Sequence, residues 1–218
     1  MSIPVLTIDG PSGAGKGTVS RAVAKKLGWN YLDSGAIYRA VAIHALNKQC
    51  ILEHGDVVAH YANKMDLSFE CGDTLIVRLE GVDITAQLPT EEVGAVASQI
   101  AAHPEVRAVL LRKQQNFQQA PGLVADGRDM GTVVFAEADF KVFLTASAEE
   151  RGLRRFKQLQ EKGMEADLEK ITQDIELRDR RDSERKNSPL IPADDALYLD
   201  SSDLSIDEVI ARVLALVN

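Results

Sequence analysis

No run of about 18 consecutive apolar residues occurs in the chain, so no segment reads as a membrane-spanning helix. The N-terminus has no charged-then-apolar segment of the export type. Cysteine is scarce: Cys50 and Cys71 have no metal-ligand spacing and suggest a reducing compartment, so a cytoplasmic location is expected. Histidine is equally uninformative, because His44, His54, His60 and His103 show no ligand-like spacing. Cations are outnumbered, 25 Lys and Arg against 33 Asp and Glu, a net charge of −8. That balance argues against a general nucleic-acid binder, which depends on clustered positive charge. No internal repeat or low-complexity stretch is present. What remains is ordinary for a globular chain, 45% hydrophobic and 27% charged over 218 residues. This length suits one domain with a substantial core and room for inserted lobes.

The most informative segment lies near the start. Val5-Leu6-Thr7-Ile8 is an apolar run, and Gly10-Pro11-Ser12-Gly13-Ala14-Gly15-Lys16-Gly17-Thr18 follows directly. A glycine-rich loop between a buried strand and a helix cradles phosphates, because successive backbone N–H groups turn inward on the anion. Lys16 supplies a mobile charge for the β/γ-phosphates, and a helix starting near Gly17 presents the positive end of its dipole. Gly17 stands where the general motif has a magnesium-binding hydroxyl, and Thr18 follows it. This ending looks like the nucleoside monophosphate kinase variety of the loop, not the switch-GTPase variety.

Apolar runs predict strands at Val5–Asp9, Asn30–Asp33, Leu123–Asp126, Phe140–Thr145 and Ala196–Asp200. Their lack of polar alternation suits strands covered on both faces. Helical periodicity fills the gaps. Val19, Ala22, Val23 and Leu27 form one stripe closed by Gly28, and Ser205-Ile206-Asp207-Glu208 reads as a capping box for the last helix. The fold class is therefore α/β, a five-stranded parallel sheet forming a P-loop core wrapped by helices, with ligands at the carboxyl edge.

Two stretches break this rhythm. Asp66–Thr85 reads as an antiparallel meander turned at Gly72-Asp73 and again at Gly81-Val82-Asp83, followed by helices capped at Thr90 and restarting near Pro104. Residues of about 53–118 thus form an inserted antiparallel-β and helix lobe. Residues of about 151–189 are polar and arginine-rich and form a short helical lid. The core is left with about 1–52, 119–150 and 190–218. In the lid, Arg151, Arg154 and Arg155 share a helix face, and Arg178-Asp179-Arg180-Arg181-Asp182 continues the charge. Phosphoryl transfer calls for cations around the transferring group and exclusion of water, which such a lid supplies.

The strand at Leu123–Asp126 runs into Gly127-Arg128-Asp129, and an Asp at a strand end beside a phosphate loop is placed to orient magnesium, often through water. Asn63-Lys64-Met65-Asp66 matches a guanine-reading motif by chance. It precedes an apolar strand instead of ending one, and no Asp-x-x-Gly accompanies it.

Asp33-Ser34-Gly35-Ala36-Ile37-Tyr38-Arg39-Ala40 and Ala125-Asp126-Gly127-Arg128-Asp129-Met130-Gly131-Thr132 resemble the bacterial cytidylate kinases. The likeness runs essentially end to end and includes Arg178–Arg185 and Pro189-Leu190-Ile191-Pro192. The resemblance implies magnesium-dependent transfer of the ATP γ-phosphoryl group to CMP or dCMP. It places Gly10 through Thr18 and Arg154 on ATP, and Thr18 with Asp126 on magnesium. Arg39, Arg128 and Arg185 would clamp the CMP phosphate, and Tyr38 would line the pocket. Ser34, Ser98, Arg107 and Asp129 would surround the cytosine, and Arg178 and Asp182 would reach the ribose. Lys16, Asp126, Arg128 and Arg185 would carry catalysis. No membrane or nucleic-acid partner is implied, and a monomer is expected.

Overall fold

The computed structural model describes residues 3–71, 75–161 and 163–217, with the side chains of 70 and 71 left aside. The turn expected at Gly72-Asp73 lies outside the described residues. The chain divides into two compact units, one of residues 1–32 and 118–218, the other of residues 33–117.

The first unit is built on five strands: β1 (Val5–Asp9), β2 (Asn30–Asp33), β6 (Leu123–Gly127), β7 (Phe140–Thr145) and β8 (Leu197–Asp200). They form a parallel sheet in the order β2-β6-β1-β7-β8. All five residues of β1 are buried, as a central strand covered on both faces requires. Val5 pairs with Leu123 and Asp9 with Gly127, so β6 runs one residue beyond the strand that its apolar run suggests. Helix α1 (Lys16–Leu27) follows β1, packs on β6 and on α8 (Ile206–Val217), and is capped at its C-terminus by Gly28. The capping box of α8 is present: Ser205 Oγ accepts the Glu208 N–H at 3.3 Å, and Glu208 accepts the Ser205 N–H at 2.9 Å. Helices α6 (Ala148–Glu161) and α7 (Leu168–Glu184) pack on each other between β7 and β8. They approach closely at Gly152, where a Cβ would meet Thr172 Oγ1 at 2.4 Å.

The second unit holds α2 (Ser34–Asn47), α3 (Gly55–Lys64), α4 (Glu91–Ile100) and α5 (Pro104–Gln115), with an antiparallel sheet of β3 (Leu67–Cys71), β4 (Leu75–Leu79) and β5 (Val82–Asp83). Helix α2 packs on α3 and α4, which places the start of this unit at Asp33. Thr90 Oγ1 accepts the Val93 N–H to cap α4, and Pro104 opens α5. Ile37, Val41, Val58, Val77, Ile100, Val106 and Leu110 close the unit's core. The Asn63–Asp66 motif spans the end of α3 and the approach to β3, so it precedes a strand and does not follow one.

Candidate active site

The loop between β1 and α1 takes its shape from contacts that only small residues allow. A Cβ on Gly10 would lie 1.9 Å from the Leu144 carbonyl oxygen, so the backbone presses directly on β7. Gly15 is the N-cap of α1 with φ 88, and a Cβ there would meet nothing within 4 Å. Open space on this side leaves room for an anion. A glycine N-cap offers no side-chain oxygen to the first turn, and that turn carries no acidic residue. The helix start is therefore electropositive. Lys16 is buried, with Nζ donating to the Pro11 carbonyl at 2.8 Å, curled over the loop. Thr18 is exposed on the first turn of α1.

The neighbouring strand brings Asp126 to the same edge. Its carboxyl is buried, and the Tyr31 hydroxyl donates to Oδ2 at 3.4 Å. A Cβ on Gly17 would lie 3.5 Å from that oxygen, so the glycine keeps the approach to Asp126 open.

Beyond β6 the chain makes a π-helical turn, Met130–Val134, with Phe135 N–H bonded to Met130 C=O at 2.7 Å. Asp9 anchors it: Oδ1 accepts the Met130 N–H at 2.8 Å and Oδ2 accepts the Gly131 N–H at 2.7 Å. Burial pushes the Asp9 carboxyl up to about 6, against the pull of those two N–H donors. The turn carries Arg128 and Asp129 ahead of it.

Arginines gather on one carboxylate. Arg128 Nε donates to Asp182 Oδ2 at 3.1 Å, and its Nη1 donates to the Gly127 carbonyl at 3.3 Å. Burial pushes Asp182 up, but the guanidinium groups of Arg128, Arg178 and Arg185 outweigh it and hold the carboxyl below its usual range. Arg185 Nη2 lies 4.0 Å from Asp129 Oδ1, and its Nε donates to the Ser188 carbonyl. Arg178 Nη1 reaches Ser12 Oγ in the phosphate loop at 3.4 Å.

Helix α6 touches the loop through a residue to which the sequence reading gave no role of its own. Arg151 is buried on α6. Its Nε donates to the Ala146 and Ser147 carbonyls at 2.9 and 3.3 Å, its Nη1 to the Ser12 carbonyl at 3.0 Å, and its Nη2 to Asp179 on α7. Arg154, one turn further, is bonded to Glu150 at 3.2 Å and to the Ser201 carbonyl at 2.9 Å. Asp9 and Arg151 could have been suspected from a charged residue at the end of a buried strand and from the arginine cluster. Their partners could not, because those lie 121 and 139 residues away in sequence.

In the second unit, Asp33 Oδ1 accepts the Ala36 N–H at 2.9 Å and so starts α2. Ser34 and Tyr38, four residues apart, share one face of that helix and are both buried. The Arg107 guanidinium lies over the Tyr38 ring, 5.8 Å from its centroid. Ser34 Oγ donates to Gln114 Oε1 at 2.6 Å. Arg39 donates through Nη1 to the Leu88 carbonyl, and Ser98 sits half-buried on α4. The geometry thus gathers Ser34, Tyr38 and Arg107 in this unit, and Arg128, Asp129, Arg178, Asp182 and Arg185 in the other.

Comparison with known proteins identifies the family. A cytidylate kinase from Methylococcus capsulatus is 57% identical over 216 residues, covering 99% of this chain and 97% of that protein. One from Colwellia psychrerythraea is 53% identical over 100% of this chain and 97% of its own length, and one from Aeromonas hydrophila 54% over 97% and 93%. The family model described as cytidylate kinase matches residues 6–218. The phosphate loop, the arginine cluster and this end-to-end match lead to one conclusion: the chain belongs to the cytidylate kinase family, phosphotransferases that pass a phosphoryl group from ATP to CMP.

Proposed function

We propose that the residues described above divide the work of phosphoryl transfer to CMP or dCMP as follows. An oxygen of the acceptor's phosphate attacks the γ-phosphorus of ATP, the bond to the β-phosphate oxygen breaks, and ADP leaves. No protein nucleophile is required, so positioning and charge neutralisation carry the rate. The loop amides of Gly10 through Thr18 with Lys16 hold the donor phosphates, and Arg154 assists on the lid. Lys16 exchanges the Pro11 carbonyl for phosphate oxygens when ATP arrives.

Arg39, Arg128 and Arg185 clamp the acceptor phosphate. The observation that carries this assignment is the buried carboxylate of Asp182, which the guanidinium groups of Arg128, Arg178 and Arg185 together keep ionised. Its charge-assisted bond to Arg128 Nε fixes the direction of that guanidinium, and its negative charge holds Arg178 and Arg185 nearby. Arg178 and Asp182 reach the ribose, and Tyr38 lines the acceptor pocket. Ser34, Ser98, Arg107 and Asp129 read the cytosine. A carboxylate accepts the N4 amino hydrogens of cytosine and would face an oxygen lone pair in uracil.

Asp126 and Thr18 fit a magnesium ion. The approach that Gly17 leaves to the Asp126 carboxyl suits a cation that takes one or two protein oxygens and keeps water and substrate phosphates as its other ligands. When bound, the ion neutralises charge on the β- and γ-oxygens. Two further proposals concern the whole protein: residues of about 53–118 are the monophosphate-binding lobe and about 151–189 the lid, and the enzyme is a cytoplasmic monomer. The cysteine usage supports the location, and sedimentation tests the oligomeric state.

ADP release with CMP, dCMP, UMP, AMP and GMP offered separately tests the reading. Strong turnover with CMP and dCMP is the expected result. Fast turnover with AMP or UMP would discard the base contacts while leaving the kinase.

A further inference from the structure

Within the second unit, Ser34 and Gln114 form a buried pair, 4% and 1% exposed. Gln114 sits on α5 seven residues after Arg107, so it shares the helix face whose other end covers Tyr38. A glutamine costs free energy to bury, and a leucine would fill the same space without that cost. This glutamine is fully oriented. Its Nε2 donates to the Leu110 carbonyl, one turn back on α5, at 3.2 Å. A carbonyl only accepts, so the amide NH2 must face Leu110 and the amide oxygen must face Ser34. The Ser34 proton is consequently committed to Gln114 across 2.6 Å. Toward any other group, the Ser34 oxygen presents lone pairs alone.

We propose that Gln114 is a specificity-determining residue acting through Ser34: it fixes the serine hydroxyl as an acceptor, matched to an exocyclic amino group such as cytosine N4 and mismatched to a carbonyl such as uracil O4. This rests on the reading of Ser34 as a base contact. A hydroxyl free to rotate serves either base, donating to one and accepting from the other. The chain Leu110 C=O, Gln114 amide, Ser34 hydroxyl removes that freedom and leaves an unpaired polar contact for the wrong base.

The test compares kcat/KM for CMP and for UMP, with the KM for ATP as a control. Ser34→Ala is expected to lower the CMP value about tenfold and to leave the UMP value unchanged or raised. An equal fall for both bases would overturn the relay while keeping Ser34 as a base contact. No change for either base would overturn the base-contact reading, and the relay with it. Gln114→Met is expected to cut the CMP/UMP ratio about tenfold by raising UMP turnover, with the KM for ATP unmoved. Gln114→Glu, whose protonated carboxyl can donate to Leu110 and accept from Ser34, is expected to keep the wild-type ratio. A folded Gln114→Met enzyme with the wild-type ratio would overturn the proposal. Should that variant not fold, the Ser34→Ala comparison decides alone.

Discussion

Asp9 Oδ2 accepts the Gly131 N–H at 2.7 Å, joining the last residue of the central strand to the π-helical turn beyond the neighbouring one. This bond and its twin to Met130 fix the turn that follows Arg128 and Asp129. The carboxylate is held there at a cost, since burial raises it from 3.8 to about 6.

The cost gives a pH signature. A folded carboxyl above its unfolded value binds its proton more tightly in the native state, so stability falls as pH rises from 3.8 toward about 6. Asp9→Asn lacks this slope. Across that window the wild type should lose about 3 kcal/mol relative to the variant, read by denaturant unfolding at a series of pH values. Parallel curves would show that Asp9 does not titrate there.

Gly10 and Gly15 separate close approach from open space. Gly10→Ala drives a methyl into the Leu144 carbonyl and should cost at least about 3 kcal/mol, measured by thermal unfolding. Gly15→Ala meets no atom and carries only the left-handed backbone penalty of about 1–2 kcal/mol. Equal losses would contradict the geometry.

Lys16→Ala should keep the fold and lose about 10²–10³-fold in turnover, because it removes the charge that curls over the phosphate loop. Circular dichroism and initial rates check both halves. Near-normal turnover would remove Lys16 from the mechanism.

Arg151→Met leaves Asp179 half-sealed without its partner and frees the Ser12 carbonyl. A loss of about 3 kcal/mol is expected, together with weaker ATP binding by titration calorimetry. Asp179→Asn tested in a double-mutant cycle should show that much of the loss is shared. Additive effects would mean that the two side chains act independently.

Much of the architecture was legible in the chain. The five apolar runs became the five strands of the sheet, with β6 one residue longer and β8 one residue shorter at its start. The caps at Gly28, Thr90, Pro104 and Ser205 are local, since each depends on residues a turn apart. The phosphate loop is equally local, a contiguous run whose glycines and lysine carry their own geometry.

The tertiary structure decided who partners whom. Asp9 with Met130, Arg151 with Ser12 and Ser34 with Gln114 are separated by 121, 139 and 80 residues. No periodicity or spacing encodes such a pairing. It was also the fold that put Arg151, and not Arg154, against the loop carbonyl, and that turned Met130–Val134 into a π-helix. The physical reason is the range of the forces. Backbone propensity, capping and apolar period act within a few residues, so sequence alone determined the elements and the phosphate loop. Buried hydrogen bonds and ion pairs form only after the core has fixed which distant groups must satisfy one another.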